Sequence, residues 1–103
     1  MTNSTVTIAP EVIRTVVRNT VLALPNVRRI ARHRAWRGSD ESRGVEVSVH
    51  EGQVHIKLHV VAAIDAPLVE LGRTIQREVK TVVEEIVGLQ VARVDVHFED
   101  VAA

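Results

Sequence analysis

Between positions 45 and 60 apolar and polar residues alternate with one break at Glu51-Gly52-Gln53, and on either side of that stretch the apolar residues recur every three or four positions. In the first such stretch Ile13, Val17, Val21 and Leu24 fall on one helical face with Val16 beside them, while Arg14 and Arg18 lie elsewhere on the wheel. The spacing predicts a helix over 10–24. Pro10 suits a first helical turn because its missing N–H would be unpaired there, and Glu11 sits at the favourable end of the dipole. Pro25 stops the helix, and Asn26 tolerates a left-handed turn before Val27 re-enters the core. In the alternating region Val45, Val47 and Val49 interleave with Glu46, Ser48 and His50, and Val54, Ile56, Leu58 and Val60 with His55, Lys57 and His59. With Glu51-Gly52 as a two-residue turn, Val49 faces Val54, Val47 faces Ile56 and Val45 faces Leu58. The same register sets Glu46 opposite Lys57, an opposite-charge cross-strand pair. Asp65 is an N-cap candidate and Pro67 a first-turn residue. Leu68, Leu71, Ile75, Val79, Val82 and Ile86 then keep helical spacing up to Gly88, which ends the helix. Val94, Val96 and Phe98 alternate with Arg93, Asp95, His97 and Glu99 in a last strand.

These elements predict an α+β fold, a two-layer sandwich of order helix-hairpin-helix-strand (αββαβ), with two helices on one face of a three-stranded mixed sheet. The sheet is mixed because a strand-helix-strand crossover makes the last strand parallel to the one carrying Lys57. Val6 and Ile8 alternate with Thr5 and Thr7 and suggest a short N-terminal strand. At 103 residues the chain is a single domain, with 1–9 and 101–103 expected to be loose and 28–44 an arginine-rich connector.

Composition narrows the chemistry. Hydrophobic residues make up 46%, enough for a packed core, and valine supplies about a fifth of the chain, which favours sheet. One Trp, one Phe and no Tyr argue against base-stacking platforms. Thirteen basic residues balance thirteen acidic ones, so no global field draws the chain to nucleic acid or an anionic bilayer. With no cysteine there are no disulfides, thiolate metal sites or cysteine nucleophiles. The opening MTNSTVTIAP lacks the pattern of a secretory signal, and no apolar run approaches the ~20 residues that span a bilayer. A soluble chain without direct transmembrane insertion is expected.

The candidate sites are few. Five histidines raise the question of zinc, and His55 and His59 share a strand face that His97 joins if the last strand is adjacent. Residues i and i+4 on a strand lie about 13 Å apart, too far to share one ion, so no metal is expected. Ser48, His55 and Asp95 share a face, but no nucleophile elbow or glycine-rich oxyanion loop accompanies them, and no catalytic residue or cofactor is assigned. The Glu84-Glu85 pair reads as solvated helix charge. The segment 28–43 is different: Arg28, Arg29, Arg32, Arg34, Arg37 and Arg43 oppose only Asp40 and Glu41. Ile30 and Trp36 are its apolar anchors, and Gly38-Ser39-Asp40 reads as an exposed tip. Guanidinium groups on one segment can grip phosphates or carboxylates, so Arg28, Arg29, Arg32, Arg34 and Arg37 form the candidate anion- or partner-binding cluster. The element order also resembles KH-type RNA-binding modules and iron–sulfur scaffold domains. The chain lacks the GxxG loop of the first and the CxxC pair of the second.

A closer resemblance covers nearly the whole chain. Ile8-Ala9-Pro10-Glu11-Val12-Ile13, an apolar helix, and Leu24-Pro25-Asn26-Val27 resemble the opening of the alkaline shock protein family of Gram-positive bacteria. Asn26 stands where the family usually has glycine, and asparagine tolerates the same backbone angles. Ile75-Gln76, Val79, Val83-Glu84, Gly88-Leu89-Gln90-Val91 and Val94-Asp95-Val96 are similar to the family's helix, turn and final strand. The resemblance implies a non-enzymatic protein of the envelope stress response, cytoplasmic and peripheral to the membrane. It would self-associate into homo-oligomers and act as a scaffold through a small membrane-anchored protein. From a different class, the alternative is a nucleic-acid or phospholigand-binding module using the Arg28 to Arg37 cluster, with the balanced charge weighing against nucleic acid.

Overall fold

The structure is a computed structural model that describes residues 4–31 and 44–103. Its elements are α1 (Pro10–Leu22), β1 (Val27–Ile30), β2 (Val45–His50), β3 (Gln53–Ala63), α2 (Leu68–Val87) and β4 (Gln90–Ala102). Pro10 opens α1 as expected, but the helix closes at Leu22 rather than at 24. Leu24 N–H bonds Val21 O at 3.1 Å, so the last turn tightens before Pro25, whose predecessor disfavours helical angles. Asn26 takes the left-handed conformation, with φ of 71°.

β3 is the central strand. β4 runs parallel beside it on one flank, and β1 and β2 both pair antiparallel with it on the other. β2 therefore continues the line of β1 along the same side of β3. The hairpin register is the expected one, with Val45, Val47 and Val49 facing Leu58, Ile56 and Val54, and Glu46 facing Lys57. Glu51 and Gly52 have φ of 51° and 76°, the two left-handed residues of a type I′ turn. The parallel β3–β4 pairing around α2 bears out the mixed sheet.

The fourth strand is β1 rather than the Val6–Ile8 stretch, since residues 4–9 carry no regular element. The reason lies in a bulge. Val27 faces Ala62 and Ile30 faces Val60, so two residues of β1, Arg28 and Arg29, intervene where β3 has one. That spacing removes the alternation by which a strand is recognised, and the connector reading of 28–30 is corrected accordingly. Residues 101 and 102, expected to be loose, belong to β4, and Ile64 N–H bonds Ala102 O at 2.9 Å.

One core joins both helices to one sheet face. Ile13, Val17 and Val21 from α1 and Leu71, Ile75, Val79 and Val83 from α2 pack on Val45, Val54, Ile56, Leu58 and Val60. Val83, not Val82 or Ile86, completes the α2 stripe, and Ile86 is 58% exposed. Steps of four residues turn the buried stripe slowly around the helix, as a helix packed on both α1 and β4 requires. Asp65 does not cap α2. It lies in the turn closed by Ala66 N–H to Ala63 O at 3.0 Å, and Pro67 is the N-cap. Gly88 ends the helix in the left-handed conformation, as expected.

Candidate functional site

The face of the sheet turned away from the helices carries the chain's chemistry. Cross-strand neighbours there are Glu46 with Lys57, Ser48 with His55, Lys57 with Asp95, and His59 with His97. A shallow depression of about 490 Å³ opens over Glu46, Ser48, His55, Lys57, Arg93 and Asp95. Arg93 Nε donates to Asp95 Oδ1 at 2.9 Å, so opposite charges are already joined along β4. His50 and His55 meet edge to face, 5.5 Å between centroids.

His59 is the buried polar residue of this face, only 7% exposed. Its Nδ1 donates to Oε1 of Glu99, its Nε2 lies 3.6 Å from Glu46 Oε2, and its ring stacks on His97 with 5.1 Å between centroids. Its backbone is equally engaged. His59 N–H donates to Gly44 O at 2.9 Å and His59 O accepts Ala31 N–H at 2.8 Å. Ala31 and Gly44 are thus both held on the two peptide groups of one residue. Gly44 has no room for a side chain, because a β-carbon there would stand 2.2 Å from Ile30 Cγ2 and 2.4 Å from Ala31 O.

His55, His59 and His97 share the sheet face that the alternation predicts, and His59 and His97 lie side by side. The rings stack rather than converge on a point. Among the described residues no group of three or more His, Asp or Glu is placed to hold a metal ion. Ser48 does lie across from His55, but Asp95, the third member of the imagined triad, is bonded to Arg93. Of the arginine cluster, Arg28 and Arg29 are exposed on β1. Arg32, Arg34 and Arg37, with Trp36, Arg43 and the Gly38-Ser39-Asp40 tip, lie outside the described residues.

Two side chains of α2 act on the outer edge of β4. Gln76 Nε2 donates to Val94 O at 3.0 Å, and Glu84 Oε2 accepts Val91 N–H at 3.0 Å. The pattern of residues alone shows neither role, and Glu84, expected as solvated helix charge, instead binds β4. The signal was present all the same, since Gln76 and Glu84 are among the residues that carried the family resemblance.

Two helices over a mixed sheet, with a face of paired charges on its other side, define a small two-layer α+β domain. The chain belongs to the alkaline shock protein 23 family, a family of cell envelope-related function, whose match covers residues 1–103. It is also similar to the uncharacterized protein YloU of Bacillus subtilis strain 168, at 30% identity over 60 residues. That stretch is 58% of this chain and 50% of YloU, so the match spans about half the length of that curated relative. No solved structure matches the chain. The resemblance seen in the sequence is thereby borne out, and the function is cell envelope-related. Among the described residues no helix is long and apolar enough to cross a membrane.

Proposed function

We propose that this chain is a non-enzymatic, self-associating protein of the envelope stress response, a scaffold held near the inner face of the cell membrane by a small membrane-anchored partner. The observation that carries this reading is the whole-chain match to a family of cell envelope-related function. The pre-paired charges of the open face support it, since Asp95 is bonded to Arg93 and His59 to Glu99. Such pairs present a partner with a fixed pattern of charge, which is what recognition by a scaffold uses. Repetition of a small domain supplies avidity, so each copy needs to hold its anchor only weakly.

A second reading keeps the arginines as an anion-binding site. The bulge in β1 leaves both Arg28 and Arg29 exposed, where they can meet a phosphate without disturbing the core.

The test is an affinity pull-down of the full chain from its own cells, divided into membrane and other fractions and treated with nuclease. A variant with Arg28, Arg29, Arg32, Arg34 and Arg37 replaced serves as control. The scaffold reading expects copies of the bait together with a small membrane protein, from both the wild-type chain and the variant. Nuclease-sensitive material lost with the variant would replace it with the anion-binding reading.

A further inference from the structure

The two edges of the sheet are not alike. On β4, Val91 and Val94 are the direct parallel partners of Val54 and Ile56, so their own peptide groups point away from the sheet. Two of those outward groups are occupied, Val91 N–H by Glu84 and Val94 O by Gln76. The N-terminal part of the β4 edge is thereby blocked against another strand.

On the opposite flank, His59 directs both its peptide groups to Ala31 and Gly44, which fixes the odd-numbered residues of β3 as those that bond to this edge. Glu46, Ser48 and His50 are their registered partners at Lys57, His55 and Gln53. The peptide groups of Val45, Val47 and Val49 therefore point outward. No side chain or backbone group among the described residues bonds to them. Val49 is 45% exposed, and Glu46, Ser48 and His50 are exposed as well.

We propose that the outer edge of β2 is a strand-pairing site whose occupant is the β2 edge of a second copy, joined antiparallel about a two-fold axis at Ser48. The sequence of β2 is complementary to itself in that register. Val47 pairs with Val49 of the second copy, exchanging N–H···O bonds and extending the helix-side core. Glu46 pairs with His50 of the second copy, and the two-fold repeats each contact. A carboxylate opposite an imidazole is favourable, whereas a register centred on Val47 would leave Glu46 opposite serine. The pairing rests on the self-association proposed above and names the surface that performs it.

Ser48 and its symmetry mate form a non-hydrogen-bonded pair, whose Cα atoms stand about 4.5 Å apart, within disulfide range. Because the chain has no cysteine, Ser48→Cys introduces a single reporter. Mild oxidation of the full-length variant at micromolar concentration is expected to give a disulfide-linked dimer, while Ala92→Cys on β4 stays monomeric. Sedimentation velocity supplies the second readout. His50→Lys is expected to tighten the dimer and His50→Glu to weaken it, each roughly fivefold. Val49→Pro removes an outward N–H without breaking the β2–β3 ladder and is expected to abolish the dimer.

Oligomers that form equally in all these variants, with no cross-link at 48, would overturn the β2 pairing and leave self-association standing through another surface. A chain that stays monomeric throughout would overturn both. Cross-linking at 48 to a different protein alone, in cells, would overturn the choice of a second copy as occupant.

Discussion

Glu84 reaches from the last turns of α2 to accept the peptide N–H of Val91 at 3.0 Å, while its own backbone oxygen accepts Gly88 N–H at 3.1 Å. One residue thus ends the helix, fixes the turn and occupies a donor on the outer edge of β4. Gln76 does the same for the Val94 carbonyl two helical turns earlier. Gln76 and Glu84, two of the residues that carry the family resemblance, have a physical task, which is to join a helix to an edge strand and occupy two of its outward groups.

Glu84→Ala is expected to destabilise the fold by about 2 kcal/mol, the usual range for a lost hydrogen bond to a charged group. Glu84→Gln keeps an acceptor and is expected to recover most of that loss. Chemical denaturation of the two variants beside the wild-type chain checks the ordering.

Gly44 and Gly88 share a left-handed backbone, with φ of 86° and 77°, but not an environment. An added β-carbon at Gly88 meets nothing within 4 Å, whereas at Gly44 it overlaps Ile30 and the Ala31 carbonyl. Gly88→Ala is expected to cost about 1 kcal/mol through backbone strain alone. Gly44→Ala is expected to cost several-fold more, because the junction of β1 and β2 on His59 must open. Thermal melts that rank the two equally would contradict this account of the junction.

The core and much of the architecture were legible in the sequence because helix and strand periods repeat without interruption there. Aliphatic residues at every second position of both hairpin arms left one workable register, and Lys57 opposite Glu46 confirmed it independently. β1 was hidden for the opposite reason: its bulge places Arg28 and Arg29 between two core residues and erases the period. The α2 stripe drifted from Val82 to Val83 because buried faces follow packing partners as well as the ideal wheel. At the open face, alternation put His59, His97 and Glu99 on one side. The His59–Glu99 bond joins residues forty positions apart and depended on a strand order that the sequence left open.

His59→Ala removes a nearly buried ring together with its bond to Glu99 and its stacking on His97. The expected loss is about 2–3 kcal/mol in urea denaturation, with faster hydrogen exchange at the Ala31 and His59 amides that tie this edge together. His97→Ala, on an exposed partner, is expected to cost less than about 1 kcal/mol.

Ile75 is completely buried in the core shared by both helices and the sheet, and Ile75→Ala is expected to cost about 2–5 kcal/mol. Ile86→Ala, on the exposed side of α2, is expected to change stability by less than about 0.5 kcal/mol. Equal losses at the two positions would mean that the buried stripe of α2 runs where the periodicity alone had put it.

The scaffold role and the pairing of β2 edges both depend on the proposed self-association. Sedimentation velocity on the full chain, from low to high micromolar, tests it most directly. The expected result is a weight-average mass that rises with concentration above the 11.4 kDa of one chain. A single 11.4 kDa species across the whole range would contradict it.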